Sequence, residues 1–364
     1  MRKNCFKYPV EIADDVFGES SVLADLIAGS GEKAAGVFLV ADKSVVQHTE
    51  GLGTKIGRYF QSHGLCLVGQ PIVMASGEKI KADNLQSVLT IVSALLEYKL
   101  GCDDYVMILG GGALLDVAGY AAAQVRGGVK NLRVPTTPAA MMDAAFADYA
   151  AVDSTNVKDA LRVPCQPAAV VIDKTLAQSV MDGVWCSGLG EPLRQAIGTD
   201  AAFMKKLLKL SDAYCARDEG AFDEIVRGTL ASRAKKGPSS LALWSAARLE
   251  AMSGYRLPHG SAVLIGICLE IGYSLKKGLM PPDQYEQAFA LLKKLGVADA
   301  IRHSQHLLSN KDSLLFGLDA RALSTGSMEI DVCAGFGKTA AEPNPDRETI
   351  RQVAQDLLSL PLDG

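Results

Sequence analysis

Three consecutive glycines, Gly110-Gly111-Gly112, follow the apolar run 106–109 and precede Ala113-Leu114-Leu115-Asp116. A buried-type strand ending on glycines, with a helix-compatible sequence directly after, lets backbone N–H groups and a helix N-terminus approach a pyrophosphate without an intervening Cβ. The spacing points to dinucleotide binding. A triple glycine alone is also compatible with a tight turn, so its neighbours matter. Ser76-Gly77-Glu78-Lys79-Ile80-Lys81 stands one predicted helix before it, and Val134-Pro135-Thr136-Thr137 one helix and one strand after it. Asp143, Lys158, Gln166-Pro167, Asp173, Gly188-Leu189-Gly190-Glu191 and His259-Gly260 follow in that order.

The elements that must position these residues fall into two groups. Short apolar runs at 36–40, 65–68, 72–74, 105–109, 132–134 and 169–172 read as strands. Between them, Asp83 is placed to cap a helix with Leu85, Val88, Leu89, Val92, Leu95 and Leu96 on one face and Gly101 as its stop. A second helix runs through 116–125. This alternation predicts a parallel, doubly wound sheet. After residue 174 the strand signals fade, and 188–210, 222–233, 241–251, 261–276, 283–295 and 347–358 read as helices. The expected organisation is a dinucleotide-binding α/β domain over 1–174 and an all-helical domain over 175–364.

Composition narrows the partners. The chain has 364 residues, 48% hydrophobic and 21% charged, with net charge −4. It is long enough for two cores. The mild negative charge supports neither a nucleic-acid nor an anionic-membrane partner. The longest apolar run, 263–269, is too short to span a bilayer. The eight cysteines form no C-x-x-C pair and read as reduced thiols of a cytoplasmic protein. The start Met1-Arg2-Lys3-Asn4-Cys5 precedes no apolar stretch of signal-peptide type.

The ordered motif set resembles 3-dehydroquinate synthase and the wider sugar-phosphate cyclase superfamily, whose fold is shared with iron-type alcohol and glycerol dehydrogenases. The resemblance covers most of the chain and is strongest from Gly77 to Glu191. It implies NAD as a catalytic cofactor. Asp42, with Glu78 and Lys81, would hold the adenosine ribose; a carboxylate there repels a 2′-phosphate, which favours NAD over NADP. Gly111 and Gly112 would face the pyrophosphate, and Asp116, Thr136 and Thr137 would line the nicotinamide end. Asp143, Lys158, Glu191 and Arg194 would serve catalysis. Glu191 and His259 would bind a divalent metal of the zinc type. The implied substrate is a phosphorylated sugar, and the implied assembly is a homodimer.

The catalytic half departs from the family pattern. A family segment of the form N-x-G-H-T-x-x-H is represented by Ser240-Leu241-Ala242-Leu243-Trp244-Ser245-Ala246-Ala247, which puts Leu243 at the middle metal ligand. Two protein ligands hold a catalytic zinc poorly, because such sites use three and a water; His303 and His306 are the only loose replacements. A phosphate-binding Lys becomes Tyr149, an Asn becomes Asp153, and Arg194 replaces a Lys. Arg194 could equally be an i, i+3 ion pair with Glu191. In the family chemistry, NAD oxidises a secondary alcohol, phosphate is eliminated, the ketone is re-reduced and an aldol step closes the ring. The losses remove metal and phosphate electrostatics, each worth on the order of 3 kcal/mol, or roughly 10⁴-fold in rate together. Three readings stand: a divergent cyclase, an NAD-dependent polyol or alcohol dehydrogenase, and a non-catalytic nucleotide-binding relative.

Overall fold

The computed structural model describes residues 7–28 and 35–360. The amino-terminal stretch 1–5 lies outside them. The chain divides into two compact units, Met1–Ser154 with Asp159–Met181, and Thr155–Lys158 with Asp182–Gly364.

The first unit is built on a seven-stranded sheet whose pairings are all parallel. Its strands are β1 (Val10–Ala13), β2 (Gly36–Asp42), β3 (Cys66–Leu67), β4 (Ile72–Met74), β5 (Tyr105–Gly110), β6 (Lys130–Pro135) and β9 (Ala169–Asp173). The order is β1-β9-β6-β5-β2-β3, with β4 also on β2. Strands β2, β5 and β9 are buried at every residue, which is why they read as unbroken apolar runs rather than alternating ones. After β2 the chain goes out to β3 and β4, then returns to place β5 on the other side of β2. This reversal is the switch point at which open α/β sheets bind ligands, at the carboxyl ends of the strands. Asp42 ends β2 and Gly110 ends β5; a Cβ on Gly110 would lie 3.3 Å from that of Asp42. An antiparallel pair, β7 (Tyr149–Val152) and β8 (Leu161–Pro164), completes this unit's strands among the described residues.

The helices of this unit include α1 (Lys43–His48), α2 (Gln86–Glu97), α3 (Gly112–Gln124) and α4 (Pro138–Met142). Asp83 does accept from Ser87 N, 2.9 Å, at the start of α2. The expected apolar face is corrected: α2 buries Val88, Ile91 and Leu95, while Leu89 and Leu96 are exposed. Centring the face on Ile91 turns those two leucines outward.

The second unit carries α5 (Asp182–Ser187), α6 (Gly190–Thr199), α7 (Ala201–Cys215), α8 (Leu243–Met252) and α9 (His259–Lys276) among its helices. The predicted helix over 188–210 is two helices. Asp200 leaves helical geometry, and its side chain accepts from Phe203 N to start α7. The unit is not purely helical: β10 (Ile330–Cys333) and β11 (Thr339–Glu342) form an antiparallel hairpin. No helix among the described residues is long and apolar enough to cross a membrane.

Candidate functional site

The glycine turn of the first unit offers free backbone donors. Gly111 is the N-cap of α3 and supplies no side-chain acceptor to the helix's first N–H groups. Those groups carry the positive end of the helix dipole, the arrangement that suits a pyrophosphate. A Cβ on Gly112 would stand 3.0 Å from Ala144 Cβ, and one on Gly111 would stand 3.3 Å from Thr137 Cγ2. Both positions are therefore closely walled. Thr136 is buried and donates its N–H to Gly110 O, 3.1 Å, which ties the end of β6 to the glycine turn. Thr137 caps α4 through Ala140 N, 3.3 Å, with Pro138 in the first turn. Asp143 lies where α4 ends, at φ −142° and ψ −71°.

Asp42 uses Oδ1 to cap α1, accepting from Ser44 N at 2.7 Å and from the Ser76 hydroxyl. Lys81 is buried and lies 2.6 Å from Asp116 and 2.7 Å from Asp159, with Asp153 at 3.7 Å. Thus the structure joins Lys81 to Asp116, the residue assigned to the nicotinamide end, and gives Asp42 the hydroxyl of Ser76 instead. Glu78 opens the 3-10 turn that ends beside Lys81 and adds to the field raising the lysine's pKa. Burial opposes the Lys81 charge, but the surrounding carboxylates win and hold it protonated. Asp116 is pushed above the ordinary carboxylate range, first by burial; Lys81 opposes that shift.

Asp153 has a fully buried side chain that also accepts from Asp159 N, 2.7 Å. It is the most distant of the three carboxylates that share the Lys81 ammonium. Tyr149 lies under the Arg162 guanidinium, 4.8 Å from ring centroid to carbon.

A second set of charged groups lies wholly in the helical unit. Glu191, in the first turn of α6, accepts two bonds on Oε2 from Arg194, at 2.9 and 2.6 Å. Its Oε1 meets His259 Nε2 at 3.0 Å. The other ring nitrogen, Nδ1, is 2.8 Å from Glu250 Oε1. Glu250, from α8 and wholly buried, also takes Lys158. Arg194 further donates to Ser239 O. The result is a continuous chain, Lys158–Glu250–His259–Glu191–Arg194.

The electrostatics of that chain follow from its order. Desolvation disfavours a charged imidazole at His259, yet Glu250 and Glu191 outweigh it and push its pKa up to about 10. The ring keeps 36% of its side-chain surface exposed, so its burial is partial and the paired carboxylates decide its charge. For Glu191, desolvation is outweighed by Arg194 and His259, which hold its carboxyl down at about 2. At neutral pH the chain has three cations, Lys158, His259 and Arg194, and two carboxylates.

Within the helical unit Glu191 and His259 offer two donors where a catalytic zinc takes three protein ligands and a water. Both nitrogens of His259 are engaged by carboxylates on opposite sides of the ring. Leu243, at the position of the expected third ligand, opens α8 and is 46% exposed. The helix start nevertheless keeps a built geometry: Ala242 is left-handed at φ 61°, and its N–H is held by the buried carboxylate of Glu270, 2.7 Å. His303 spends Nδ1 on Asp299 O, 2.8 Å, in its own helix, and His306 is exposed. No cluster among the described residues joins either to Glu191 and His259.

Glu250 was not expected as a site residue. A carboxylate between Leu249 and Ala251 in an apolar helix segment requires a partner when buried, and that was the available signal. Arg133 was missed in the same way. It is fully buried and donates to Ala145 O at 3.1 Å, Ala147 O at 2.8 Å and Cys165 O at 2.8 Å, which fixes the segment following Asp143.

Two family models match the chain: the 3-dehydroquinate synthase N-terminal model over residues 71–185 and the C-terminal model over 243–311. Together they span about half of it. The chain belongs to the 3-dehydroquinate synthase family. A 3-dehydroquinate synthase of Pyrobaculum islandicum is 27% identical over 294 residues, 75% of this chain and 84% of that relative. Among solved structures, 2-epi-5-epi-valiolone synthase of Streptomyces hygroscopicus subsp. jinggangensis, with NAD+ and Zn2+ bound, superposes with a TM-score of 0.82 at 19% identity, covering 97% of each chain. A 2-deoxy-scyllo-inosose synthase complexed with carbaglucose-6-phosphate, NAD+ and Co2+ gives 0.78 at 17% identity, covering 95% of this chain and 96% of that one. The family's fold, a parallel sheet unit followed by a mainly helical region, is the fold found here. Membership supports a cyclase-like enzymatic function.

Proposed function

We propose that this protein is an NAD-using sugar-phosphate cyclase that works without a tightly held catalytic metal. The observation that carries the reading is the closed chain Lys158–Glu250–His259–Glu191–Arg194. In it, a protonated imidazole takes the electrostatic place of a cation between two carboxylates. Its cationic groups Lys158 and His259 suit an anionic substrate such as a phosphorylated sugar.

Bound NAD would accept and return a hydride at the substrate's secondary alcohol. The backbone N–H groups at Gly111 and Gly112 would hold its pyrophosphate. Asp42, whose Oδ2 takes no hydrogen bond among the described residues, would accept from the adenosine ribose. Asp116 with Lys81, and Thr136 with Thr137, would orient the nicotinamide end. Lys158 would exchange Glu250 for the substrate's phosphate. Arg194 stays on Glu191 and positions it, and through it His259. Asp143 would sit beside the nicotinamide end on the segment fixed by Arg133. The reading carries with it a homodimer in the cytoplasm.

The experiment is phosphate release from heptulose and heptulosonate phosphates by the purified protein with NAD, in the presence of a chelator. Release that persists with chelator and is lost in Lys158→Ala supports the reading. Net NADH from small alcohols would support a dehydrogenase instead. The mutual engagement of every charged group in the chain favours, as a second reading, a nucleotide-binding relative without turnover; absence of phosphate release from all these substrates, with NAD still bound, is its signature.

A further inference from the structure

We infer that Cys186 and Cys215 form a reversible dithiol–disulfide site in the helical unit, oxidised by hydroperoxides. Trp185 in α5 and Tyr214 in α7 are bound reciprocally. Trp185 Nε1–H donates to Tyr214 O at 2.7 Å, and the Tyr214 hydroxyl donates to Trp185 O at 2.8 Å. Their rings stack at 5.3 Å, and Phe222 stacks on Trp185 from α-helical chain further on, at 5.1 Å. This double bond between the two helices fixes residues 185 and 214 opposite each other. The next residue on each side is a cysteine, and the two thiols lie near enough to perturb one another. Both are partly exposed and neither is bridged.

The two sulfurs are not equivalent. Interaction with Cys215 draws the Cys186 thiol down to about 7, with Arg217 assisting and Asp182 opposing. Cys215 is pushed up by the same interaction and by burial. Arg217 is fixed beside them, over the Trp185 ring at 4.8 Å and on Asp182 at 2.8 Å. Cys186 is thus the nucleophile and Cys215 the resolving thiol.

The chemistry balances with a hydroperoxide as oxidant. The Cys186 thiolate attacks the peroxide, an S–O bond forms, the O–O bond breaks, and the leaving oxygen departs protonated as water or alcohol. The Cys215 thiol then attacks the sulfenic sulfur, an S–S bond forms, the S–O bond breaks, and water leaves. Two thiols are oxidised by two electrons and one peroxide is reduced. The bridge encloses α6, with Glu191 and Arg194. Leu189 N donates to Cys186 O at 3.1 Å, so the bridge is bonded directly to the residue from which α6 begins.

The test is peptide mapping of the full-length protein after hydrogen peroxide, with free thiols alkylated before digestion. The expected result is a peptide pair linked through Cys186 and Cys215, removed by dithiothreitol and absent from both Cys186→Ser and Cys215→Ser. In Cys215→Ser, Cys186 should accumulate as a sulfenic acid trapped by dimedone. The inference is overturned if Cys186 and Cys215 remain alkylated while the exposed Cys66 and Cys102 are oxidised, or if Cys186 and Cys215 link to other cysteines rather than to each other. Because the readout is covalent, it is independent of whether the protein turns over a sugar phosphate.

Discussion

The glycine turn of the sheet unit and the charged chain of the helical unit are built by different means. The first is built from backbone. Its donors are the N–H groups at the start of α3, and the sequence needs only to keep Gly111 and Gly112 free of a Cβ. The second is built from side chains, and each contributes a specific atom. Its groups engage one another: His259 is held by Glu191 and Glu250, and those carboxylates by Arg194 and Lys158. Backbone recognition tolerates sequence drift around it, whereas a cation site does not.

The largest effect expected is at the centre of the charged chain. Glu191→Ala leaves His259 and Arg194 facing each other with one carboxylate removed, in a site where Glu191 is 4% exposed. Breaking a buried pair in this way costs about 3–5 kcal/mol, measurable by urea denaturation. A loss below 1 kcal/mol would mean that the chain is not a unit. The sheet unit is attacked at Gly112→Val, whose branched side chain must enter the space before Ala144. NAD affinity should fall by roughly 100-fold, about 2–3 kcal/mol, with little change in circular dichroism. Unchanged calorimetric affinity would break the backbone half of the comparison.

The Glu270 carboxyl sharpens the second half, because it holds the start of α8, which Leu243 opens. Burial pushes it up to about 8, against an ordinary value of 4.5. The folded state therefore keeps a proton that the unfolded chain releases. Its contribution is fully present below pH 4.5 and falls as pH rises through 8, by up to about 1.4 kcal/mol per pH unit. Glu270→Gln should flatten stability across that window; an unaltered slope contradicts the assignment. The smallest change expected is a gain. Leu243→His puts an imidazole on the retained scaffold, and zinc affinity should rise by about tenfold or more, read by competition with a chromophoric chelator. No gain would show that the scaffold has closed as well.

What could be read from the chain before its structure follows the same division. Strand β5 was legible because a strand covered on both faces is an unbroken apolar run, and its end was legible because three glycines mark a turn or a close approach. The outward turn of Leu89 and Leu96 was not, because a helix with apolar residues on adjacent stripes does not state which stripe is buried. Asp200 split one predicted helix into two, since a single capping carboxylate leaves the apolar pattern on either side uninterrupted. The β10–β11 hairpin was hidden in a segment without strict alternation. In the site, Glu191, Arg194 and His259 were legible as one group, but their further partners were not. That Asp153 would turn to Lys81, and Glu250 to His259 and Lys158, depends on long-range pairings between residues far apart in sequence.

The central claim is that a proton on His259, and not a coordinated metal, completes the charged chain. Calorimetric titration of zinc into the NAD-loaded protein tests it most directly. The account predicts an NAD isotherm followed by no stoichiometric zinc binding. A tight one-to-one zinc isotherm in the wild type, abolished in Glu191→Gln, would contradict it.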